Sequence, residues 1–309
     1  MSFNSSLNPS VVKTVLDDVF MQRFSIAKHP GYATAETPAL FNQDTADSSA
    51  VIMELFGGSG AWTSVAEEQD LPEGQPRITN QKTFTVTKFA RHVAIPKEFF
   101  DDNKHGSYEK MVASFANRAR TTRDKNAFAV FRNAATTTLT ADGIALISDS
   151  HVPIAGGTVD NLVTGDLTAT TLNTAFTALA EQKSQDGEID GHVASCLVVP
   201  IADFKNACEI VKSELRPGTA NNDLNYYSQI YPGLVVYTSP YLGAAAGGDD
   251  DYWFVLSDTH SITRWVRESV NTNLVGFEVS TNDVYKYKGR FREVVGAMSY
   301  EGVVGSLGA

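Results

Sequence analysis

The chain has 309 residues, of which 42% are hydrophobic and 20% charged. That composition excludes wholesale disorder and suits one large domain or two intimate ones. A net charge of −11 argues against a surface built to grip nucleic acid, which needs clustered Lys and Arg. No apolar run approaches the roughly 18 residues of a membrane span. The opening MSFNSSLNPS lacks the basic start and apolar core of a secretory signal, so folding in a cytoplasm is expected. Cys196 and Cys208 are the only cysteines, and both read as buried reduced thiols rather than a disulfide or metal pair.

Residues 8 to 24 read as an amphipathic helix. Asn8 can cap it, Pro9 suits the first helical position, and Val11, Val12, Val15, Leu16, Val19 and Phe20 recur at helical spacing. From Ala27 to Ser64 the pattern breaks down into small polar residues with Gly57, Gly58 and Gly60 clustered. An irregular stretch this long is unusual inside a compact domain, so an extended arm packed along a neighbouring subunit is expected. Thr83 to Thr87 then alternates with a period of two, and Phe89, Arg91, Val93 and Ile95 continue out of phase. This predicts a long hairpin arm with a bulge or strong twist between Thr87 and Phe89.

A long helix follows, with Ser107 as its cap and Tyr108, Met111, Val112, Phe115, Ala116 and Ala119 as its apolar stripe. If continuous to Ala134 it would span about 40 Å. Lys110, Arg118, Arg120, Arg123, Lys125 and Arg132 read as a basic exposed face, which could contact acidic residues such as Glu67, Glu68 and Asp70 on an adjacent subunit. Leu167 to Ser184 is a second predicted helix, with Leu172, Phe176, Leu179 and Ala180 on one side. Predicted strands Ala194–Val199, Leu234–Thr238 and Tyr252–Leu256 and a helix Ile201–Lys212 form an alternating region. Its core is expected at Leu197, Val198, Val199, Leu234, Val235, Val236, Phe254 and Val255. Long strands at Ile262–Arg267, Leu274–Val279 and Tyr285–Val295 close the chain.

Nothing in this pattern points to catalysis. His29, His92, His105, His151, His192 and His260 lack metal-ligand spacing. Asp249-Asp250-Asp251 lacks the spaced pattern of a calcium loop and reads as a solvated tip. Gly57-Gly58-Ser59-Gly60 has no following Lys-Ser/Thr, so it is no phosphate cradle, and no nucleophile elbow occurs. Catalytic, cofactor-binding and metal residues are therefore expected to be absent.

Several segments carry a resemblance. ADGIALISDSH (Ala141 to His151), Asn161-Leu162 before Asp166-Leu167, LRPGTANND (Leu215 to Asp223), and Ser239-Pro240-Tyr241-Leu242 followed by Tyr252 to Leu256 resemble the major capsid proteins of tailed bacteriophages. Within these they are most similar to the Mu-like prophage major head subunit group. One departure is Val152, which separates His151 from Pro153 where relatives tend to join them. The resemblance implies an α+β chain of the tailed-phage capsid (Johnson) fold. Its parts would be an N-terminal arm (1–64), an E-loop hairpin (65–103), a peripheral domain with the spine helix (104–191), an inserted axial domain (192–260) and C-terminal peripheral strands (261–309). It further implies self-assembly into pentamers and hexamers of an icosahedral virion shell, with scaffold and portal proteins as partners. That shell would enclose double-stranded DNA without sequence-specific binding, need no cofactor or membrane, and assemble in the host cytoplasm. His151 is taken as a turn-fixing residue, and Asn221 and Asn222 as contacts near each ring centre. Two other readings stay open: an encapsulin-like cellular shell of the same fold, and a soluble α/β enzyme.

Overall fold

The computed structural model describes residues 9–25, 31–58, 60–74, 77–98, 105–215, 223–275 and 284–308. Helix α1 (Pro9–Ser25) buries Val12, Leu16, Phe20 and Phe24, spaced by four so that they form one stripe. Phe20 meets Phe115 and Tyr287 at ring separations of 5.8 and 6.2 Å. The first helix therefore packs within its own subunit.

The same holds for residues 31–46, contrary to the expectation of an arm lying on a neighbour. Ala33, Ala35, Leu40 and Phe41 are buried. Phe41 sits edge-on to Phe128 and Phe131 at 5.5 and 5.8 Å. Strand β1 (Asn42–Thr45) then pairs in parallel with the start of β9 (Ile262–Val275). Two large apolar residues and a few backbone bonds are enough to anchor a segment with no periodic pattern.

Strand β2 (Ala50–Gly57) lies inside the stretch that reads as irregular. It pairs antiparallel with β3 (Arg77–Thr85), from Ala50 opposite Thr85 to Gly57 opposite Arg77. The hairpin is thus 50–85, displaced from the expected 65–103. The phase shift after Thr87 is not a bulge. At Val86 the chain leaves the hairpin, and β4 (Thr87–Pro96) pairs along its whole length with β10 (Val284–Ala297). Strands β1, β9, β10 and β4, in that order, make a four-stranded sheet.

Helix α2 (His105–Ala127) spans roughly 35 Å at 1.5 Å per residue. It is shorter than expected, because the chain breaks at Phe128 before the single turn α3 (Ala129–Arg132). Ser107 lies within its first turn, not at a cap position. The break lets Phe128 and Phe131 turn into the core, where Phe131 meets Phe254 at 5.3 Å.

A second sheet has the order β5 (Leu162–Val163), β11 (Val303–Ser306), β8 (Trp253–Ser257), β6 (Ala194–Pro200), β7 (Val235–Ser239). Strands β5 and β11 come from outside 192–260, so that interval does not delimit the sheet. Both faces are covered, which explains the unbroken apolar run in β6. Cys196 and Val198 face Phe128, Phe131 and Leu146, while Leu197 and Val199 face α4 (Ala169–Ala180) and α5 (Phe204–Lys212). Thr168 caps α4 reciprocally with Thr171, and the buried stripe is Leu172, Ala175, Phe176 and Leu179, with Ala180 exposed. Of the expected core, Val235 alone is exposed, at 41%. Burial pushes the Cys196 thiol up to about 12, so it packs as a hydrophobe. Cys208 is half-buried, and neither forms a disulfide.

Candidate subunit-interface surfaces

Beyond β2 and β3 the hairpin ends in a loop, 58–76, which starts with Gly58 beside Asp186 and has no buried residue in its described part. Trp62 is 98% exposed and Leu71 82%. Glu67, Glu68 and Asp70 are exposed on the same loop, with Glu73 close by and no Lys or Arg from 58 to 74. Glu68 takes a positive φ of 67° at the turn. The loop is acidic, with two large apolar side chains in solvent.

The root of the hairpin, by contrast, is tied down. Phe84 packs on Trp265 at 4.6 Å and lies so close to Gly296 that any side chain there would collide with the ring. Lys82 Nζ donates to the carbonyls of Ala297 (3.0 Å) and Leu139 and lies 4.7 Å from the Phe84 centroid. Burial pulls this amine down to about 8, against the opposing effect of Asp142.

The expected basic face of α2 divides in two. Arg118 is exposed. Arg120 and Arg123 are buried, at 7% and 3% exposure, which corrects their reading as solvent-facing. Arg123 pairs with Glu36, stacks 4.4 Å over the Phe24 ring, and lies 3.8 Å from Asp124. Burial pushes the Asp124 carboxyl up, while the Ala35 N–H (3.0 Å), Arg123 and Arg120 partly offset it. Nearby, Arg264 grips Glu293 through Nε at 2.8 Å and Gln43 through Nη1 at 2.9 Å. These charges pin residues 35–43 to α2 and to the long sheet inside one subunit.

The ADGIALISDSH segment is a hydrogen-bonded knot. Asp142 Oδ1 accepts from the Ile144 N–H (3.0 Å) and from Thr140 Oγ1, and Asp142 Oδ2 lies 2.8 Å from His151 Nδ1. The fully buried His151 ring stacks on Tyr300 at 4.6 Å. Asn161, also fully buried, donates to Leu146 O (2.8 Å) and Val303 O (3.1 Å) and accepts from Ser148 N–H (2.9 Å). His151 therefore fixes a turn, with no geometry for proton transfer to a substrate. Burial raises the Asp142 carboxyl, but the bonds from His151, Thr140 and Ile144 together hold it below the usual carboxylate value. A carboxyl lowered in the folded state adds stability that is full above its unfolded value near 4 and fades as pH falls through the lower folded value. Asp142→Asn should therefore flatten the acid limb: urea midpoints of variant and parent should differ most above pH 5 and converge toward pH 2.

Asn221 and Asn222 lie outside the described residues, as do Pro217 and Gly218. The flanks of that loop are fixed. Leu215 bridges Leu224, and Asn225 Nδ2 donates to Ile210 O (2.7 Å) and Ser213 O (2.9 Å). Around it Leu224, Tyr226 and Ile230 are exposed by 69%, 52% and 59%. The sequence reading passes over this patch. It also passes over a basic alternation on β10, Lys286, Lys288, Arg290, Arg292, whose signal was a strict period of two. Among the described residues no cluster of His, Cys, Asp and Glu could hold a metal, and no helix is long and apolar enough to cross a membrane.

Two sheets, a projecting hairpin and a long helix beneath the longer sheet define the capsid-subunit architecture. A crystal structure of a virus-like particle from Pyrococcus furiosus matches with a TM-score of 0.56 at 9% identity, covering 95% of this chain and 98% of that one. A structure of Microbacterium phage Oxtober96 matches at 0.57 and 14% identity, covering 92% and 94%. The capsid structure of the cyanophage P-SCSP1u matches at 0.57 and 13%, covering 92% and 91%. No curated protein matches the chain. A family model described as phage capsid protein matches residues 79–306, and the chain belongs to that family. Its role is structural, not enzymatic. The family is broader than the Mu-like group that the motifs resemble.

Proposed function

We propose that this chain is the major head subunit of a tailed phage and closes an icosahedral shell of pentamers and hexamers around double-stranded DNA. The observation that carries this reading is the family match over 79–306, which takes in most of the hairpin's second strand, the spine helix α2, the five-stranded sheet and all of the four-stranded sheet but β1. Scaffold and portal proteins would be its assembly partners, in the host cytoplasm. Fold likeness alone would serve any shell built from such subunits, since the Pyrococcus particle matches as well as the phages do. The phage family model favours a viral head over a cellular compartment.

In this reading the hairpin packs on another subunit. A lone two-stranded hairpin is marginal in water, and beyond its root at Phe84 this one carries Ile52, Phe56 and Ile78 exposed by 55–60%. The purified chain should form rings or closed shells in electron micrographs. Amides of 50–57 and 77–83 should gain hydrogen-exchange protection on assembly. A small soluble oligomer under all assembly conditions would sink the shell reading. Equal protection before and after assembly would sink the hairpin's role.

A further inference from the structure

Helix α2 turns one uniform surface to solvent. Among its described side chains the exposed ones are Ser107, Lys110, Ser114, Arg118, Thr122 and Lys125. Steps of three and four residues put all six on one stripe. The apolar side of the helix packs against α1 and the long sheet. The stripe therefore holds only cations and hydroxyls. The two acids of the helix do not offset it, since Asp124 is buried and Glu109 half-buried. Strand β4 adds a fourth cation. Val93 and Ile95 pack with Tyr108 and Val112, so Arg91, in phase with them, lies on the same side of the sheet. It lines one groove with Lys110, Ser114 and Arg118. Among the described residues none of Arg91, Lys110, Arg118 and Lys125 has an ion-pair partner. A second basic surface lies on the other side of the sheet, where the register sets Lys88 opposite Arg292 and His92 opposite Lys288. That one carries an acid, Glu268, 2.7 Å from Arg290.

We propose that the α2 stripe, with Arg91 beside it, is the shell's contact with the packaged duplex, bonding phosphate oxygens without reading bases. The inference rests on the shell reading and turns this face of the helix to the inside. The residue types carry it. Lys, Arg, Ser and Thr are side chains that bond phosphates, and no acid stands among them to repel a polyanion. A protein partner would be held by apolar anchors, and α2 exposes no large apolar residue among those described. From Ser107 to Lys125 the stripe runs roughly 27 Å, most of a duplex turn of about 34 Å. Base reading is excluded by size. A bare helix about 10–12 Å across just fits a major groove about 12 Å wide. With α1 and the sheet on its back, α2 cannot enter one. The net charge of −11 keeps each contact weak, as suits a wall that must release its cargo.

The test is binding of a short labelled DNA duplex by the full-length chain before assembly, between about 50 and 200 mM salt. Four phosphate contacts imply that affinity falls about 150-fold over that range. Lys110→Gln with Arg118→Gln should bind more weakly at low salt and reduce the fall to about 12-fold, since two contacts remain. Lys286→Gln with Lys288→Gln, on the other side of the sheet, should keep the salt dependence of the parent. Polyglutamate is the second probe and should bind less tightly than the duplex. Matching unfolding midpoints check that both variants fold, as exposed positions should. An unchanged salt dependence in the α2 variant would overturn the proposal, and so would an equal loss in the sheet variant. A parent chain that ignores the duplex at low salt would overturn it as well. Tighter binding of polyglutamate would do the same and assign the stripe to an acidic protein. Electron micrographs of the parent under assembly conditions report on the shell reading separately. Shells without duplex binding would therefore sink this assignment alone.

Discussion

Arg123→Glu should unfold the subunit rather than disturb its contacts. The guanidinium is buried between the Phe24 ring and Asp124 and pairs with Glu36. A carboxylate in its place would leave Asp124 without its nearest countercharge and add a second buried anion close to Glu293. Breaking a buried charge cluster in this way costs about 3–5 kcal/mol, even though the Glu36 end is exposed and contributes little. Arg123→Met, which keeps the packing on Phe24, should cost less. Arg118→Glu, on the exposed side of the same helix, should stay within about 0.5 kcal/mol of the parent. Urea unfolding of the three variants checks the order. Equal midpoints for the variants at 118 and 123 would show that the buried cluster contributes nothing.

Asn161→Ala should also destabilise the subunit, by less. Its amide ties the 140–151 knot to β11 by hydrogen bonds, through Leu146 O and Val303 O, and it also receives the Ser148 N–H. Removing it leaves the Ser148 N–H without its acceptor and takes one donor each from Leu146 O, which keeps His151 Nε2 at 3.3 Å, and Val303 O, which keeps Gln182 Nε2 at 3.4 Å. A loss of about 2–3 kcal/mol is expected, from one unsatisfied amide and two weakened carbonyl contacts. Asn161→Asp should be worse still, because it would aim a carboxylate at two carbonyl oxygens. A fall in denaturation midpoint for Ala, and a larger one for Asp at pH 7 than at pH 3, is the expected pattern.

The split among the arginines shows what the sequence carried and what it hid. The stripe Tyr108, Val112, Phe115, Ala116, Ala119 continues by steps of three and four to Arg120, Arg123 and Ala127. Periodicity therefore placed Arg120 and Arg123 inside, while charge argued for outside, and periodicity wins because Asp124 and Glu36 wait there. Helix α1 and strand β6 were legible for the same reason, since one period or one unbroken apolar run decides them. Strand β2 was not. Its sequence, AVIMELFG, has no alternation, because Ile52, Met53 and Phe56 are exposed beside the buried Leu55. The pairing of β2 with β3, and the transfer of β4 to another sheet, depend on long-range partners that no local pattern names. Among candidate interface residues, the acids at 67, 68 and 70 were found as exposed charges. The basic face of β10 carried its signal openly, but only the register with β4 reveals that two strands share it.

Val86 has a mechanical consequence. One uninterrupted length of chain runs from β3 through this residue into the long sheet, so the hairpin and the sheet act as two arms of a lever pivoted here and braced where Gly57 and Gly58 lie against Ile154 and Asp186. The pivot is stiff: the Val86 side chain is buried and its amide is held by Ser49 O at 2.9 Å. A load on the hairpin cannot be absorbed by a flexible turn there. What that brace does not take travels as torque into β4 and, through ten paired positions, into β10.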